Sequence, residues 1–168
     1  MTATADDRLE DFARRDSNAL YSLFWRCLGD GETARDLLQE TMLFAWKNRS
    51  LYDADRPFRA WIFRIGQNRL RSFLRRRRLE KAWAATEKAT QPEARVDRDR
   101  LIDLDDATKL EAAIRTLPER QRMALLLRYQ EGLSCREVGE VLGASENAVS
   151  IQLHHARNEL RRLLGEDR

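Results

Sequence analysis

Apolar residues recur at intervals of three and four along most of this 168-residue chain, and no segment alternates polar and apolar residues as a β-strand does. Glycine and proline are scarce, at seven and three residues, whereas the helix-favouring Ala, Leu, Arg and Glu dominate. The pattern predicts an all-α fold with two small helical domains joined by a flexible linker.

The first domain is predicted over residues 1–81, as three helices. The first helix runs from about Asp7 to Leu28 and ends at the Gly29-Asp30-Gly31 turn. The second runs from about Glu32 to Asn48. Its inner face is predicted to hold Ala34, Leu37, Leu38, Thr41 and Ala45, and its outer face Asp36, Gln39, Glu40, Leu43 and Lys47.

The third helix begins near Pro57, which suits a first helical turn, and its basic part continues to about Lys81. Between Arg56 and Lys81 stand ten Lys and Arg residues against one acid, Glu80, although the whole chain carries a net charge of only +3. So local a positive charge predicts a polyanion as partner. The stripe Phe58, Trp61, Ile62, Ile65, Leu70, Phe73, Leu74 is assigned to the core, and Phe63, which falls off it, is predicted to be an exposed aromatic.

Composition changes over residues 82–105, which lack large apolar residues at helical spacing and contain Pro92 and a mixed charge run. This segment is predicted to be the linker, and its composition allows part of it to be helical. A linker of that length in so short a chain indicates two domains.

The second domain is predicted over residues 106–168. A first helix follows the stripe Ala107, Leu110, Ala113, Ile114, Leu117, and Leu117-Pro118 ends it and begins the next, which Gly132 terminates. Ser134 and Glu137 form a capping box at the start of a short helix that stops at Gly143, and Ser145 caps a longer final helix. This order predicts a helix-turn-helix, with an ordinary helical hairpin as the alternative.

The final helix of a helix-turn-helix leads into the DNA major groove with its N-terminal residues. Asn and Gln side chains there can read adenine, Glu can accept a hydrogen bond from cytosine, and Arg binds guanine or phosphate. The residues predicted to be exposed on this helix are Ser145, Glu146, Asn147, Ser150, Gln152, His154 and Arg157.

Several classes of function are excluded by what the sequence lacks. No apolar run approaches the eighteen or so residues of a membrane span, and the polar, acidic N-terminus is not a signal peptide, so the protein is expected in the cytoplasm. Cys27 and Cys135 are isolated, and no clustered ligands predict a metal or other cofactor. There is no phosphate-binding glycine loop and no catalytic triad, so no enzyme activity is expected.

Four segments together resemble the extracytoplasmic-function (ECF, group 4) sigma factors of bacterial RNA polymerase, in the sigma-70 family. The segments are Asp36-Leu-Leu-Gln-Glu-Thr-Met-Leu-Phe-Ala-Trp46, Phe58-Arg-Ala-Trp-Ile-Phe-Arg-Ile-Gly-Gln-Asn68, Leu117-Pro-Glu-Arg-Gln-Arg122 and Leu127-Arg-Tyr-Gln-Glu-Gly-Leu-Ser-Cys-Arg-Glu-Val138. Their order and spacing fit the family over nearly the whole chain. The sequence departs from the family pattern at Ser72, where Asp is usual, at Gly66, where Ala is usual, and at Asn147-Ala148, where Gly-Thr is common.

The resemblance implies that the first domain (sigma region 2) binds the polymerase and opens the promoter −10 element, and that the second (sigma region 4) reads the −35 element. The residues implied for the β′ clamp of core RNA polymerase are Asp36, Gln39, Glu40 and Leu43. For the −10 region they are Phe63, Arg64, Asn68, Arg71, Arg75 and Arg76, with Asn68 as the base contact. For the −35 region they are the exposed residues of the final helix, from Ser145 to Arg157, with Arg115, Arg120 and Arg122 as flanking phosphate contacts.

The family's partners are promoter DNA, the β′ clamp and β flap of the polymerase, and an anti-sigma factor that hides these surfaces. Two alternatives from other classes remain open on the sequence alone. One is a stand-alone helix-turn-helix regulator that binds duplex DNA without polymerase, and the other is the DNA-binding fragment of a recombinase.

Overall fold

The computed structural model describes residues 4–87 and 105–165, and every regular element in these ranges is helical. The chain divides into two compact units, residues 1–93 and 94–168. The all-α fold in two helical units is therefore confirmed for the described residues. The domain boundaries stay predictions, since residues 88–104 of the predicted linker lie outside the described residues.

The first unit contains α1 (Ala5–Arg15), α2 (Ser17–Leu28), α3 (Gly31–Lys47) and α4 (Phe58–Glu87), with a 3₁₀ turn at Arg49–Leu51. Helix α2 packs on α3, and α3 packs on α4. As predicted, Gly29 ends α2 in the left-handed conformation, at φ 70°. The largest fully buried side chains of this core are Leu20, Leu23, Phe24, Thr41, Ile62, Phe63 and Leu70.

One predicted helix in this unit is wrong in its bounds. The first helix is interrupted at Asp16, where Asp16-Ser17-Asn18 places three residues that compete with the helical backbone for hydrogen bonds. The Ser17 hydroxyl donates to the Ala13 carbonyl at 2.8 Å. Helix α4 continues past its basic part to Glu87, so the start of the predicted linker is helical, in keeping with the helix-favouring alanines there.

The second unit contains α5 (Asp106–Thr116), α6 (Glu119–Leu125), a π-helical segment (Leu126–Gln130), α7 (Cys135–Leu142) and α8 (Glu146–Leu164). Helix α8 packs on α5, α6 and α7. Its core is built from Met123, Leu127, Val138, Val149, Leu153 and Ala156. Of the stripe predicted for α5, Ala113, Ile114 and Leu117 are buried, whereas Ala107 and Leu110 are exposed, so the prediction is wrong at those two positions.

The helix-turn-helix is present at α7 and α8. The Ser134–Glu137 capping box forms at the start of α7, Gly143 ends that helix at φ 65°, and the Ser145 hydroxyl accepts a hydrogen bond from the Ala148 N–H at 3.2 Å. Gly139 is buried inside α7, and a Cβ at this position would lie 2.6 Å from the carbonyl oxygen of Ala144. The turn between the two helices therefore comes so close that only glycine fits at 139.

Candidate protein- and nucleic-acid-binding surfaces

The outer face of α3 carries the four residues predicted to bind protein. Asp36, Gln39, Glu40 and Leu43 are all exposed, and their spacing of three and four residues places them on one face. Opposite them, Ala34, Leu37, Thr41 and Ala45 are buried, and the Thr41 hydroxyl donates to the Leu37 carbonyl at 2.7 Å. Leu43 is 60% exposed, so the face combines two carboxylates with an uncovered apolar side chain.

An apolar groove of about 510 Å³ lies between α3 and α1, beside this acidic face. Its lining includes Leu9 and Ala13 from α1 and Met42, Leu43 and Trp46 from α3. Trp46 is 46% exposed, and the Arg49 guanidinium lies 4.6 Å from its ring centroid. The sequence reading missed Trp46, although an aromatic residue three positions beyond Leu43 on a polar face was a signal for it.

Helix α4 presents a basic stripe. Arg64, Asn68, Arg71 and Arg75 follow one another at intervals of four, three and four residues, and all are exposed, as is Arg76 beside them. At 1.5 Å per residue, the stripe from Arg64 to Arg75 is roughly 16 Å long. Helix α4 packs on α3, so the basic stripe and the acidic face belong to neighbouring helices of one unit.

The prediction that Phe63 is exposed is wrong. Phe63 is fully buried, with its ring edge-to-face against Phe12 at a centroid distance of 6.4 Å. Phe12 of α1 covers α4 at Phe63, and Leu20 and Phe24 of α2 cover it at Gly66, so α4 buries a wider arc than a single apolar stripe includes. Phe63 is therefore removed from the candidate DNA contacts.

Trp61 and Phe58, which were assigned to the core, are only half-buried. They form an aromatic cluster with Tyr52, whose ring centroid lies 5.0 Å from that of Phe58 and 5.2 Å from that of Trp61. The Tyr52 hydroxyl accepts a hydrogen bond from Arg8 at 2.9 Å and donates to the Arg56 carbonyl at 2.7 Å. These bonds hold the turn before α4 against α1.

Helix α8 exposes six of its seven predicted DNA contacts. The exposed residues are Ser145, at the cap, and Glu146, Asn147, Ser150, His154 and Arg157. The prediction that Gln152 is exposed is wrong, since this residue is half-buried. It lies roughly 140° around the helix from Asn147, beside the buried side of α8.

Hydrogen bonds already occupy several of these polar groups. The Ser150 hydroxyl donates to the Glu146 carbonyl at 3.1 Å, which leaves its oxygen as an acceptor. The Asn158 amide lies 3.0 Å from His154 Nε2; if it donates there, the ring proton sits on Nδ1. Arg157 donates a hydrogen bond at 3.4 Å to the hydroxyl of Tyr129, which lies in the π-helical segment.

The three flanking arginines differ in their exposure and in the partners they already have. Arg120 is exposed on the first turn of α6. Arg122 is half-buried and donates to the Arg115 carbonyl at 2.8 Å, near the end of α5, while Arg115 itself lies 4.0 Å from Glu111. Arg120 is therefore the best placed of the three for a phosphate.

Three of the four pKa shifts found in the described residues belong to carboxylates at helix starts, and in the fourth the hydrogen bond from Arg162 lowers the pKa of Glu159 within α8. The Thr33 hydroxyl, and then the Glu32 N–H, lower the pKa of Asp30 at the start of α3. The Thr108 N–H and then its hydroxyl lower the pKa of Asp105 at the start of α5. The hydrogen bonds of each cap stabilise the charged form of its carboxylate, so Asp30 and Asp105 have a structural role.

In residues 4–87 and 105–165, no three His, Cys, Asp or Glu side chains are grouped to hold a metal ion. Cys27 is buried in the core, and Cys135 is half-buried. Over the same ranges, no helix has the length and apolar character needed to cross a bilayer.

Comparison with known proteins gives matches over both units. Residues 12–80 match the family Sigma-70 region 2, and residues 107–160 match Sigma-70, region 4. The ECF RNA polymerase sigma factor SigL of Mycobacterium tuberculosis is 32% identical, with 84% of this chain and 80% of SigL covered. The RNA polymerase sigma factor CnrH of Cupriavidus metallidurans is 34% identical, with 84% and 79% covered.

Two solved structures are similar as well. CnrH in complex with the cytosolic domain of CnrY aligns with a TM-score of 0.68 at 29% identity, over 97% of this chain and 91% of that one. The sigma factor RpoE of Bartonella quintana aligns with a TM-score of 0.77 over 97% and 99% of the two chains, and at 22% identity this supports the fold alone.

Proposed function

The chain belongs to the ECF RNA polymerase sigma factors of the sigma-70 family, and from this premise we propose that it is a cytoplasmic group 4 member without catalytic activity. As a sigma factor it is a DNA-binding protein of transcription initiation. The alternative of a stand-alone regulator is not favoured, because residues 12–80 match a sigma region that such a regulator has no use for.

The first part of the proposal is that the outer face of α3 binds the β′ clamp of core polymerase. Asp36 and Glu40 offer carboxylates to a basic partner, and Leu43 and Trp46 offer apolar area beside them. Charge complementarity speeds and orients docking, while a desolvated apolar centre supplies most of the affinity. The adjoining groove between α1 and α3 enlarges the apolar part of this contact.

The second part is that the basic stripe of α4 holds the opened −10 element. Asn68 stands between Arg64 and Arg71 on one exposed line, so an amide able to pair with a base is flanked by two phosphate partners. This line is the single observation that carries the proposal. It lies on the helix that packs against α3, so a polymerase bound to α3 would have the opened strand next to it.

The third part is that α8 reads the −35 element in the major groove. Asn147, Ser150 and His154 share one exposed face of its first turns, opposite the buried Val149 and Leu153. Arg120 and Arg157 lie beside it as phosphate contacts, each adding about one unit to the salt slope of binding. The β flap of the polymerase is the partner proposed for this unit.

The fourth part is regulation by an anti-sigma factor. CnrH was solved with the cytosolic domain of another protein, and a partner of that kind would cover the same exposed surfaces here. Leu43 and Trp46 are the residues of α3 that such a partner would shield from polymerase.

Size-exclusion chromatography with sigma-free bacterial core polymerase tests the first part of the proposal. We expect the wild type to co-elute and the Asp36→Arg/Glu40→Arg variant to elute alone. The matched control is Asp53→Arg/Asp55→Arg, which reverses two exposed carboxylates of the same unit in the turn before α4. Failure of the wild type to co-elute, or loss of co-elution by the control as well, would contradict the assignment.

A further inference from the structure

One exposed side chain on α8 is apolar. Ile151 is 47% exposed, whereas the other exposed positions between Glu146 and Leu164, a range described throughout, are all polar or charged. It lies roughly 160° around the helix from both Val149 and Leu153, at 100° per residue. Ile151 therefore points directly away from the core, and packing within the unit does not explain it.

The position is also unfavourable for an isoleucine on general grounds. A β-branched side chain loses rotamer freedom in a helix, and an exposed surface position gives it no burial in return. Single exposed apolar residues are common on proteins and need no explanation by themselves. The neighbours of Ile151 distinguish it from that ordinary case.

Ile151 stands in the middle of the face proposed to enter the major groove. Asn147 precedes it by four residues and His154 follows it by three, so all three lie on one line in the first turns of α8. Ser150, next to it, has its hydroxyl proton bonded to the Glu146 carbonyl. An aliphatic group in this position has one matching feature among the base edges of the major groove, the C5 methyl of thymine.

We propose that Ile151 reads the C5 methyl group of one thymine in the upstream promoter element, an inference that rests on the proposed function of α8. The contact removes apolar surface of both groups from water and requires no hydrogen bond. It makes Ile151 a specificity-determining residue, since cytosine, adenine and guanine present no methyl group at that place.

The test removes the methyl group and nothing else. Holoenzyme assembled from the full chain and core polymerase first selects an upstream element from a library of randomised duplexes. Each thymine of the selected element is then replaced singly by deoxyuridine, and binding is measured for the wild type, Ile151→Ala and Ile151→Val. Leu110→Ala is the matched control, because Leu110 is an exposed aliphatic residue of the same unit on α5.

At one thymine, we expect deoxyuridine to weaken wild-type binding about fourfold, the amount that one buried methyl group contributes. The same replacement should have no effect on Ile151→Ala, a partial effect on Ile151→Val and the full effect on Leu110→Ala. Circular dichroism should show unchanged folding, since alanine favours the helix.

Three results would overturn the inference: a selected element without thymine, a wild type insensitive to deoxyuridine everywhere, or an Ile151→Ala variant that keeps the wild-type sensitivity. Weaker assembly of Ile151→Ala with core polymerase, at unchanged DNA binding, would instead make Ile151 a protein contact and would also overturn it. If the wild type selects no element with polymerase, the proposed function fails first, so the two failures are distinguishable.

Discussion

The two units present their candidate binding residues in different ways. In the first unit these residues stand on the outer sides of two long helices, α3 and α4, in stripes of exposed positions that the core behind them supports. In the second unit they stand at the start of α8, and a short turn after α7 sets where that start lies. The first surface therefore depends on the length and the rotational phase of two helices, and the second depends on the geometry of one turn.

Two glycines make this difference measurable. A Cβ on Gly139 of α7 would meet a backbone atom, the Ala144 carbonyl oxygen, at 2.6 Å. A Cβ on Gly66 of α4 would meet the ends of side chains, Leu20 Cδ1 at 2.9 Å and Phe24 Cζ at 3.0 Å. Side chains can shift by tenths of an ångström, whereas the carbonyl moves only with the turn.

The largest effect is expected for Gly139→Ala. The new methyl group forces the turn away from α7, which should cost about 3 kcal/mol of the second unit's stability and displace the start of α8. All four tryptophans (Trp25, Trp46, Trp61 and Trp83) lie in the first unit, so tryptophan fluorescence reports on that unit alone while circular dichroism reports on both. The circular-dichroism signal of the second unit should be lost at a lower urea concentration than in the wild type, whereas the fluorescence transition should stay at the wild-type concentration. An unchanged circular-dichroism curve would show that the turn tolerates the methyl group.

Removal of the α8 cap should have a smaller effect on the same unit. Ser145→Ala deletes the oxygen that accepts from the Ala148 N–H, and a lost N-cap costs about 1 kcal/mol. The control is Ser150→Ala inside α8, where alanine is the better helix former and stability should not fall. Both are measured by urea unfolding followed by circular dichroism. Equal losses in the two variants would mean that the hydroxyl of Ser145 does not act as a cap.

For Gly66→Ala we expect a loss of less than about 1 kcal/mol from the first unit. Crowding against Leu20 and Phe24 is largely offset by the gain of about 1 kcal/mol when alanine replaces a glycine inside a helix. The fluorescence-detected urea transition is the measurement. A loss above about 2 kcal/mol would show that α2 and α4 are packed as rigidly as the helix-turn-helix turn, and the contrast between the units would fail.

The smallest expected effect is a change in how the stability of each unit depends on acidic pH. The pKa of Asp30 at the start of α3 and that of Asp105 at the start of α5 are both lowered by capping. A lowered pKa in the folded state adds stability above the unfolded pKa, near 3.9, and this stability is lost as pH falls through the folded pKa. Asp30→Asn should therefore reduce the fall in stability with decreasing pH that is measured by tryptophan fluorescence. Asp105→Asn should reduce only the fall that is measured by circular dichroism. Identical acid profiles for both variants by both probes would contradict this.

Much of the fold followed from helical periodicity and end signals. The outer face of α3 was predicted in full because the helix has one covered side, and Asp36 to Leu43 fall opposite to it. The helix-turn-helix was predicted because Ser134, Gly143 and Ser145 are local signals that act within a few residues.

The errors arose where contacts distant in sequence decide. Phe63 was predicted to be exposed because periodicity describes one stripe, whereas α1 and its Phe12 cover a second side of α4. Two other missed features are local: the interruption of the first helix at Asp16 and the close approach of the Ala144 carbonyl to Gly139 depend on backbone geometry, which the spacing of apolar residues does not encode. The groove beside Trp46 exists only because α1 folds against α3.

Promoter opening by the assembled holoenzyme is the most direct test of the division between α3 and α4. An Asn68→Ala/Arg71→Ala variant is titrated with core polymerase, and opening is then followed on its promoter by the fluorescence of a 2-aminopurine in the −10 element. We expect wild-type affinity for core polymerase and at least about a tenfold loss of opening, since a side chain paired with a base contributes about 1–3 kcal/mol. Wild-type opening by this variant, or a loss of its affinity for core polymerase, would contradict the assignment of α4 to DNA and α3 to the polymerase.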